Sequence, residues 1–274
     1  MESLLKLAAL SENMSVEVDD NATLSASCLL KQPDCTPSKP AASSTHKPAS
    51  RTDLPLYMAA LPNGQRVPIL KTLLTSACEK NCNYCANRAG RDFQRQTFHP
   101  EELAQLYMNL FRAGVVKGIF LSSGVAGSGV RTQDRLLDTA DIMRNKLGYR
   151  GYLHLKIMPG VEHAQVERAL QLADRVSINL EAPNTERLSY LAPQKVFIEE
   201  LLDPLRWVED IRQKQLPLHA WNGRWPSTTT QFVAGGAGEN DLELLQTTFF
   251  LLKKLHLSRV YYSGFQPVAG TPLE

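Results

Sequence analysis

Cys78, Cys82 and Cys85 stand in the string TSACEKNCNYCANR, with three and then two residues between them. Thiolates are strong ligands for iron and zinc, and three in one short loop can hold three corners of a cubane iron–sulfur cluster. A cubane ligated wholly by protein needs four thiolates, and no fourth cysteine lies nearby. One iron would therefore keep an open position, where a small molecule could bind and be reduced. A zinc knuckle is the second reading. Zinc sites, however, usually pair C-x2-C with another such pair or with histidines downstream, and no second pair follows here. Ferredoxin spacings require a further cysteine. A disulfide at this spacing is geometrically awkward and leaves one thiol over. Three inert core cysteines fit poorly beside Glu79, Lys80 and Arg88.

The loop needs a frame, and the apolar run VPILKTLL just before it reads as a buried parallel strand over 67–74. From residue 55 strand and helix patterns alternate. Further strands are expected at 115–121, 152–158, 175–180, 228–233 and 259–263, with helices starting at Pro100 and over 134–146, 162–172, 197–214 and 241–255. Pro100 suits a first helical turn, Gly148 a helix C-cap, and Pro204 a kink or split. Six βα units in series imply parallel strands with right-handed crossovers. The expected fold is α/β, a partial (β/α)6 TIM-like barrel with a flexible N-terminal extension. In such barrels chemistry gathers where strands end and βα loops begin, which is where the cysteine loop falls.

At 274 residues, with 43% hydrophobic residues and a net charge of +2, the chain is one large domain with appendages. No run approaches the ~18 apolar residues of a membrane span, and MESLLKLAAL lacks the basic start and cleavage site of a secretory signal. An odd cysteine count with three clustered points to a reducing, cytoplasmic setting. Residues 1–54 divide into a short amphipathic helix carrying Leu4, Leu5, Leu7 and Leu10, and a stretch rich in Ser, Thr, Pro and Lys that reads as flexible. Cys28 and Cys35 within it read as free surface thiols. Residues 55–274 form the core, and the chain stops soon after its sixth strand, so a C-terminal part is expected to be missing.

Strand alternation sorts side chains between faces. In YLHLKIM, Tyr152, His154 and Lys156 share one face and the leucines the other. In SINLE, Ser177, Asn179 and Glu181 share a polar face. Facing inward, His154, Lys156, Asn179 and Glu181 would line a wet cavity for a polar ligand; the competing reading is a satisfied core network.

The C-x3-C-x2-C spacing with an aromatic, Tyr84, before the last cysteine resembles the radical SAM enzymes. That resemblance implies that Cys78, Cys82 and Cys85 hold a 4Fe–4S cluster. Its open iron binds S-adenosylmethionine, which is cleaved to methionine and a 5′-deoxyadenosyl radical. It also implies cofactor contacts from Tyr84, from Ser122, Ser123 and Gly124 in place of a Gly-Gly-Glu-like motif, and from Asn179 and Glu181 near the ribose. Gly235, Gly236 and Glu239 of QFVAGGAGE would lie near adenine, and FQPVAGTP would close the pocket. A flavodoxin or ferredoxin-type reductant is implied as partner.

The longer strings LLTSACEKNCNYCANRAGRDFQRQTFHPEEL, IFLSSGV, GYLHLKIMPG and TTTQFVAGGAGE are similar to a radical SAM subgroup assigned to DNA modification and repair. A nucleic-acid partner follows from that likeness. Arg88, Arg91 and Arg95 are then expected to reach phosphates, and Trp221 or Trp225 to stack on a base or cover the cavity. A solvated basic turn and core packing are the alternative roles. The competing function is a non-catalytic iron–sulfur or zinc module that binds nucleic acid.

Overall fold

The structure is a computed structural model that describes residues 2–12, 14, 24–25, 53–54, 56–60 and 64–274. Cys28 and Cys35, and most of the stretch expected to be flexible, lie outside those residues. The chain opens with α1 (Glu2–Glu12), which buries Leu7 and Leu10. Two short strands, β1 (Leu24–Ser25) and β2 (Asp53–Leu54), pair antiparallel.

The main sheet has seven strands in sequence order. Six are parallel: β4 (Arg66–Leu73), β5 (Gly118–Ser122), β6 (Tyr152–Lys156), β7 (Arg175–Ser177), β8 (Ser227–Ala234) and β9 (Arg259–Gly264). A series of right-handed crossovers adds each strand on the same side of the last, and the sheet curls into a half-barrel without closing. The expected partial barrel is therefore the fold, enlarged by β3 (Leu56–Ala60), an antiparallel edge strand on β4.

Register places Leu70, Ile119 and Leu153 in one row across β4, β5 and β6, and Thr72, Leu121, Leu155 and Val176 in another, all fully buried. This is the outer face, covered by α2 (Pro100–Arg112), α3 (Gly129–Asp141), α4 (His163–Leu172) and α6 (Asp203–Lys214), which pack in that order. Each buried aliphatic side chain contributes roughly 1.5–3 kcal/mol relative to exposure. The alternate residues, many of them polar, face the concave side.

Several boundaries differ from expectation for identifiable reasons. Helix α3 starts five residues early because Ser128 caps it, accepting from Arg131 N at 3.1 Å. Its Gly129 lies so close to Pro159 that an added Cβ would sit 1.9 Å from that carbonyl oxygen. Pro204 does split its helix, with a π-helical turn at Phe197–Leu202 before α6. The strand at 175–180 leaves the ladder after Ser177. Helix α5 (Thr185–Leu191), absent from the sequence reading, is capped by Asn184, whose Oδ1 accepts from Arg187 N at 2.9 Å. Helix α7 (Asp241–Lys254) completes the set. Among the described residues no helix is long and apolar enough to cross a membrane.

Candidate active site

The cysteine loop leaves the C-terminal end of β4 and is fastened on three sides. Toward β5, Gly124 N donates to Thr75 O at 2.7 Å and Glu79 N to Val125 O at 2.7 Å. Gly124 permits this contact: a Cβ there would lie 2.3 Å from Ala77 O and 3.2 Å from Cys78 Cβ. Toward α5, Asn83 N donates to Leu191 O and its Nδ2 to Tyr190 O, both at 2.7 Å, while Asn81 N donates to Gln194 Oε1 at 2.8 Å. Toward the C-terminal segment, Leu273 N donates to Asn83 O at 3.2 Å. The FQPVAGTP stretch thus leads into the segment that closes on the loop.

Beneath the loop lies Arg95. Its guanidinium donates to the carbonyls of Ser76 and Asn87 at 2.7 Å each, of Arg88 at 2.6 Å and of Arg91 at 2.9 Å. Arg91 donates Nε to Ala269 O at 3.0 Å and an NH group to Ala86 O at 2.9 Å. The arginines expected at phosphates are thus largely spent on backbone carbonyls within this loop; Arg88 is half-buried in the same turn.

All three cysteines are free. Cys82 is 7% exposed and the other two are half-buried. Burial pushes the Cys85 thiol up to about 12, opposed by a hydrogen bond from Asn87 N to its Sγ at 3.4 Å. Burial also raises Cys82, and Lys195 is the strongest influence against that rise. Lys195 belongs to the link after α5, and no spacing in the sequence marks it. Its Nζ lies 3.1 Å from Glu181 Oε1, with side-chain exposures of 10% and 7%. Burial opposes the charge on Glu181, but Lys195, Lys156 and a hydrogen bond from Tyr84 hold the carboxyl below its usual range. Glu181 takes a positive φ of 65° and rejoins the sheet at Phe232, with its N–H donating to Gln231 O at 3.0 Å.

On the concave face, register aligns Lys71, Phe120, His154, Arg175 and Ser227 in one row. Phe120 and His154 rings lie 4.4 Å apart, and the Lys71 ammonium lies 6.0 Å from the Phe120 centroid. His154 Nε2 and Ser177 Oγ are 2.8 Å apart. Burial, with Arg175, Lys156 and Lys71 nearby, holds His154 well below its usual range, so its imidazole is neutral. His154 and Lys156 therefore do face inward, as alternation implies, and Lys71 and Arg175, not singled out from the sequence, share that face.

The remaining expected cofactor residues sit at strand ends around the loop. Ser122 O accepts from Leu74 N at 2.8 Å, and Ser123 Oγ donates to Gly124 O at 2.7 Å. Asn179 is half-buried, and its side chain makes no hydrogen bond among the described residues. Gly235 turns at a φ of 85°. Glu239 closes that same turn, accepting from Gly235 N and from Ala237 N at 3.0 Å. At Gly236 an added Cβ would meet Leu191 at 3.0 Å and Phe265 at 3.3 Å, so a bare backbone lets α5 and the segment just after β9 crowd against this turn. Trp221 lies under the Arg144 guanidinium at 3.8 Å, and Trp225 Nε1 donates to Gln215 O at 3.4 Å. The packing role thus accounts for both tryptophans.

Among the described residues no three His, Cys, Asp or Glu side chains are grouped for a metal ion. A cubane makes no such demand, because each thiolate binds a separate iron. Three thiols with no fourth cysteine among the described residues, an N–H aimed at a sulfur and a buried cation beside them suit an anionic cluster with one open corner.

The family model of the radical SAM superfamily matches residues 72–251. No curated protein matches the chain. Among solved structures, methylornithine synthase is 18% identical with a TM-score of 0.57, covering 75% of this chain and 56% of its own. The FeFe-hydrogenase maturase from Carboxydothermus hydrogenoformans is 17% identical with a TM-score of 0.57, at 74% and 46% coverage. A radical SAM methyltransferase from Sphaerobacter thermophilus is 17% identical with a TM-score of 0.53, at 78% and 63% coverage. At these identities the likeness is one of fold, and the chain spans about half to two thirds of each relative's length.

Proposed function

The chain belongs to the radical SAM superfamily, and we propose that it is a radical SAM enzyme whose substrate is a nucleotide or DNA. Members of this family bind a 4Fe–4S cluster and S-adenosylmethionine. When bound, the two supply a 5′-deoxyadenosyl radical through one-electron cleavage of the sulfonium. In this reading Cys78, Cys82 and Cys85 are the cluster ligands, and the observation that carries it is their placement on a loop clamped at the mouth of the half-barrel.

The chain's own groups bind, orient and exclude water. Lys195 offsets thiolate charge and, with Tyr84, fixes the Glu181 carboxylate. Gly124, Ser122 and Ser123 offer backbone and hydroxyl groups next to Cys78 for the amino group of the cosubstrate. Asn179, with its amide unspent, is the candidate ribose contact. Gly235 and Gly236 form the turn that would lie against adenine, and Glu239 holds that turn. Excluding water from the site would protect a radical once it forms. A flavodoxin or ferredoxin supplies the electron.

The nucleotide half of the proposal rests on the subgroup likeness and on the cationic concave face. It does not rest on the Arg88–Arg95 turn, whose guanidinium groups serve backbone carbonyls. The test is anaerobic reconstitution with iron and sulfide, followed by a dithionite-driven assay for 5′-deoxyadenosine with and without DNA or RNA. A brown protein that releases 5′-deoxyadenosine is expected. A colourless preparation that carries zinc and leaves S-adenosylmethionine intact would favour the non-catalytic module instead.

A further inference from the structure

Helix α7 buries far less of itself than the other long helices. Of its 14 residues Leu244 and Leu251 are buried, whereas α2 and α3 bury five and six of 13. Its remaining apolar residues are not scattered. Leu242, Leu245, Phe249 and Leu252 are 39–64% exposed, and they recur at steps of three, four and three residues, the spacing of a helix–helix seam. They form one stripe, about a third of a turn round from the face that carries Leu244 and Leu251. Thr248 lies between the two faces, and its hydroxyl meets Tyr262 OH on β9. On the other flank Phe250 shares a hollow with Phe197 and Leu202. The stripe therefore leans over the free edge of β9, the last strand of the sheet, which pairs with β8 alone among the described residues. An apolar stripe beside an open sheet edge marks an association surface.

The stripe is its own complement. A two-fold axis at the level of Thr247 exchanges Leu242 with Leu252 and Leu245 with Phe249. Two copies of α7 laid antiparallel thus set an apolar side chain against an apolar side chain at every level of the seam. The charges agree with this. Asp241 opens the helix, and Lys253 and Lys254 end it. All three are exposed, and none has an ion pair among the described residues. The antiparallel arrangement brings Asp241 of each copy to the level of Lys253 of the other and opposes the two helix dipoles favourably. A parallel arrangement sets Asp241 against Asp241 and lysine against lysine. A closed two-fold interface requires a patch that complements itself, and this one does so in both apolar spacing and charge.

We propose that α7 is a homodimer interface, in which the stripe of Leu242, Leu245, Phe249 and Leu252 packs antiparallel against the same stripe of a second copy of this chain. The inference is independent of the chemistry at the cysteine loop. Because α7 leaves the rim at its Asn240 cap, the two half-barrels open toward opposite ends of the helix pair. A helix of this length spans about 21 Å. The seam is therefore short and belongs with the small interfaces, under about 1,200 Å², that form and dissociate readily. Association depends on concentration accordingly.

The test is sedimentation equilibrium of the full chain, reconstituted anaerobically, over a concentration series. The average mass is expected to climb from the 30.5 kDa of one chain toward twice that value. Leu245→Lys with Phe249→Lys is expected to stay at one chain throughout, with dichroism and iron content unchanged because both side chains already face solvent. Charge reversal reads the orientation. Asp241→Lys and Lys253→Asp are each expected to weaken self-association about fivefold. An equimolar mixture of the two is expected to regain it, since each end then meets the opposite charge on the other chain. A native chain that stays at one mass throughout would overturn the proposal, as would a dimer that survives the two lysines in the stripe. A mixture no tighter than its components would overturn the antiparallel arrangement.

Discussion

Lys195 and Glu181 form an ion pair of 3.1 Å with both side chains about nine-tenths buried, and it lies between the cysteine loop and the concave face of the sheet. Tyr84, the residue just before Cys85, also helps to hold that carboxylate in its charged form. The pair therefore couples loop position to sheet position. Breaking a buried pair by removing one member strands the other charge and costs about 3–5 kcal/mol. Lys195→Met is expected to lower stability by that order in urea unfolding and to reduce iron per chain. Adding Glu181→Met is expected to recover much of the stability without recovering the iron, because the loop cation is still missing.

The proposed ligation requires the three thiols to act as a unit. Cys82→Ala is expected to lose the brown chromophore and S-adenosylmethionine cleavage together, and Cys78→Ala and Cys85→Ala likewise, with far-ultraviolet dichroism little changed. Iron analysis and a 5′-deoxyadenosine assay on each variant decide the point. A variant that kept both would remove that cysteine from the ligand set.

Gly124 is the hinge point between β5 and the loop. The Cβ of Gly124→Ala would enter the Ala77 carbonyl at 2.3 Å, and backbone must move to admit it. Overpacking of this kind costs about 1–3 kcal/mol. The expected result is lower iron occupancy than in a Gly264→Ala control, whose added Cβ meets nothing within 4 Å. Equal occupancy in the two would show that the contact does not set the loop.

Arg95 holds four carbonyls of the loop at 2.6–2.9 Å. Arg95→Ala leaves them without that donor, at about 1–3 kcal/mol for each one that stays buried and unpaired. Faster hydrogen exchange across residues 76–91 and a loop that reconstitutes poorly are expected. Nucleic-acid affinity, if present, is expected to fall only in step with the fraction reconstituted.

Burial lowers Lys71 and Lys156 to about 8, with Lys156 adding to the effect on Lys71 and Lys195 to that on Lys156. Both start from 10.5 in the unfolded chain, so between about 8 and 10.5 the unfolded state binds more protons. Stability therefore rises with pH across that window. Unfolding midpoints compared between the native chain and Lys71→Met/Lys156→Met should converge as pH increases. A constant difference would mean that the two lysines titrate normally.

Much of the architecture was open to reading in the amino-acid string because it depends on local periodicity. The alternation in YLHLKIM put His154 and Lys156 on one face and the leucines on the other, and register confirms both. The edge strand β3 was missed because a short strand defined by its partner carries little pattern of its own. Helix α5 was missed although Asn184 is a readable cap, since seven residues hold too few turns to show a period. The arginine turn was read outward, whereas the Arg95 guanidinium folds inward onto the loop carbonyls around it.

The βα order and the clustering of Cys78, Cys82 and Cys85 were legible in the sequence, because three sulfurs at short spacing and alternating apolar runs are properties of neighbouring residues. Only the tertiary structure decided that Lys195 meets Glu181 from 14 positions away, that Gly124 abuts Ala77, and that Lys71 and Lys156 share one hollow. Those relationships depend on how separate strands and loops are brought together, and the free energy of packing selects that arrangement over the whole chain at once.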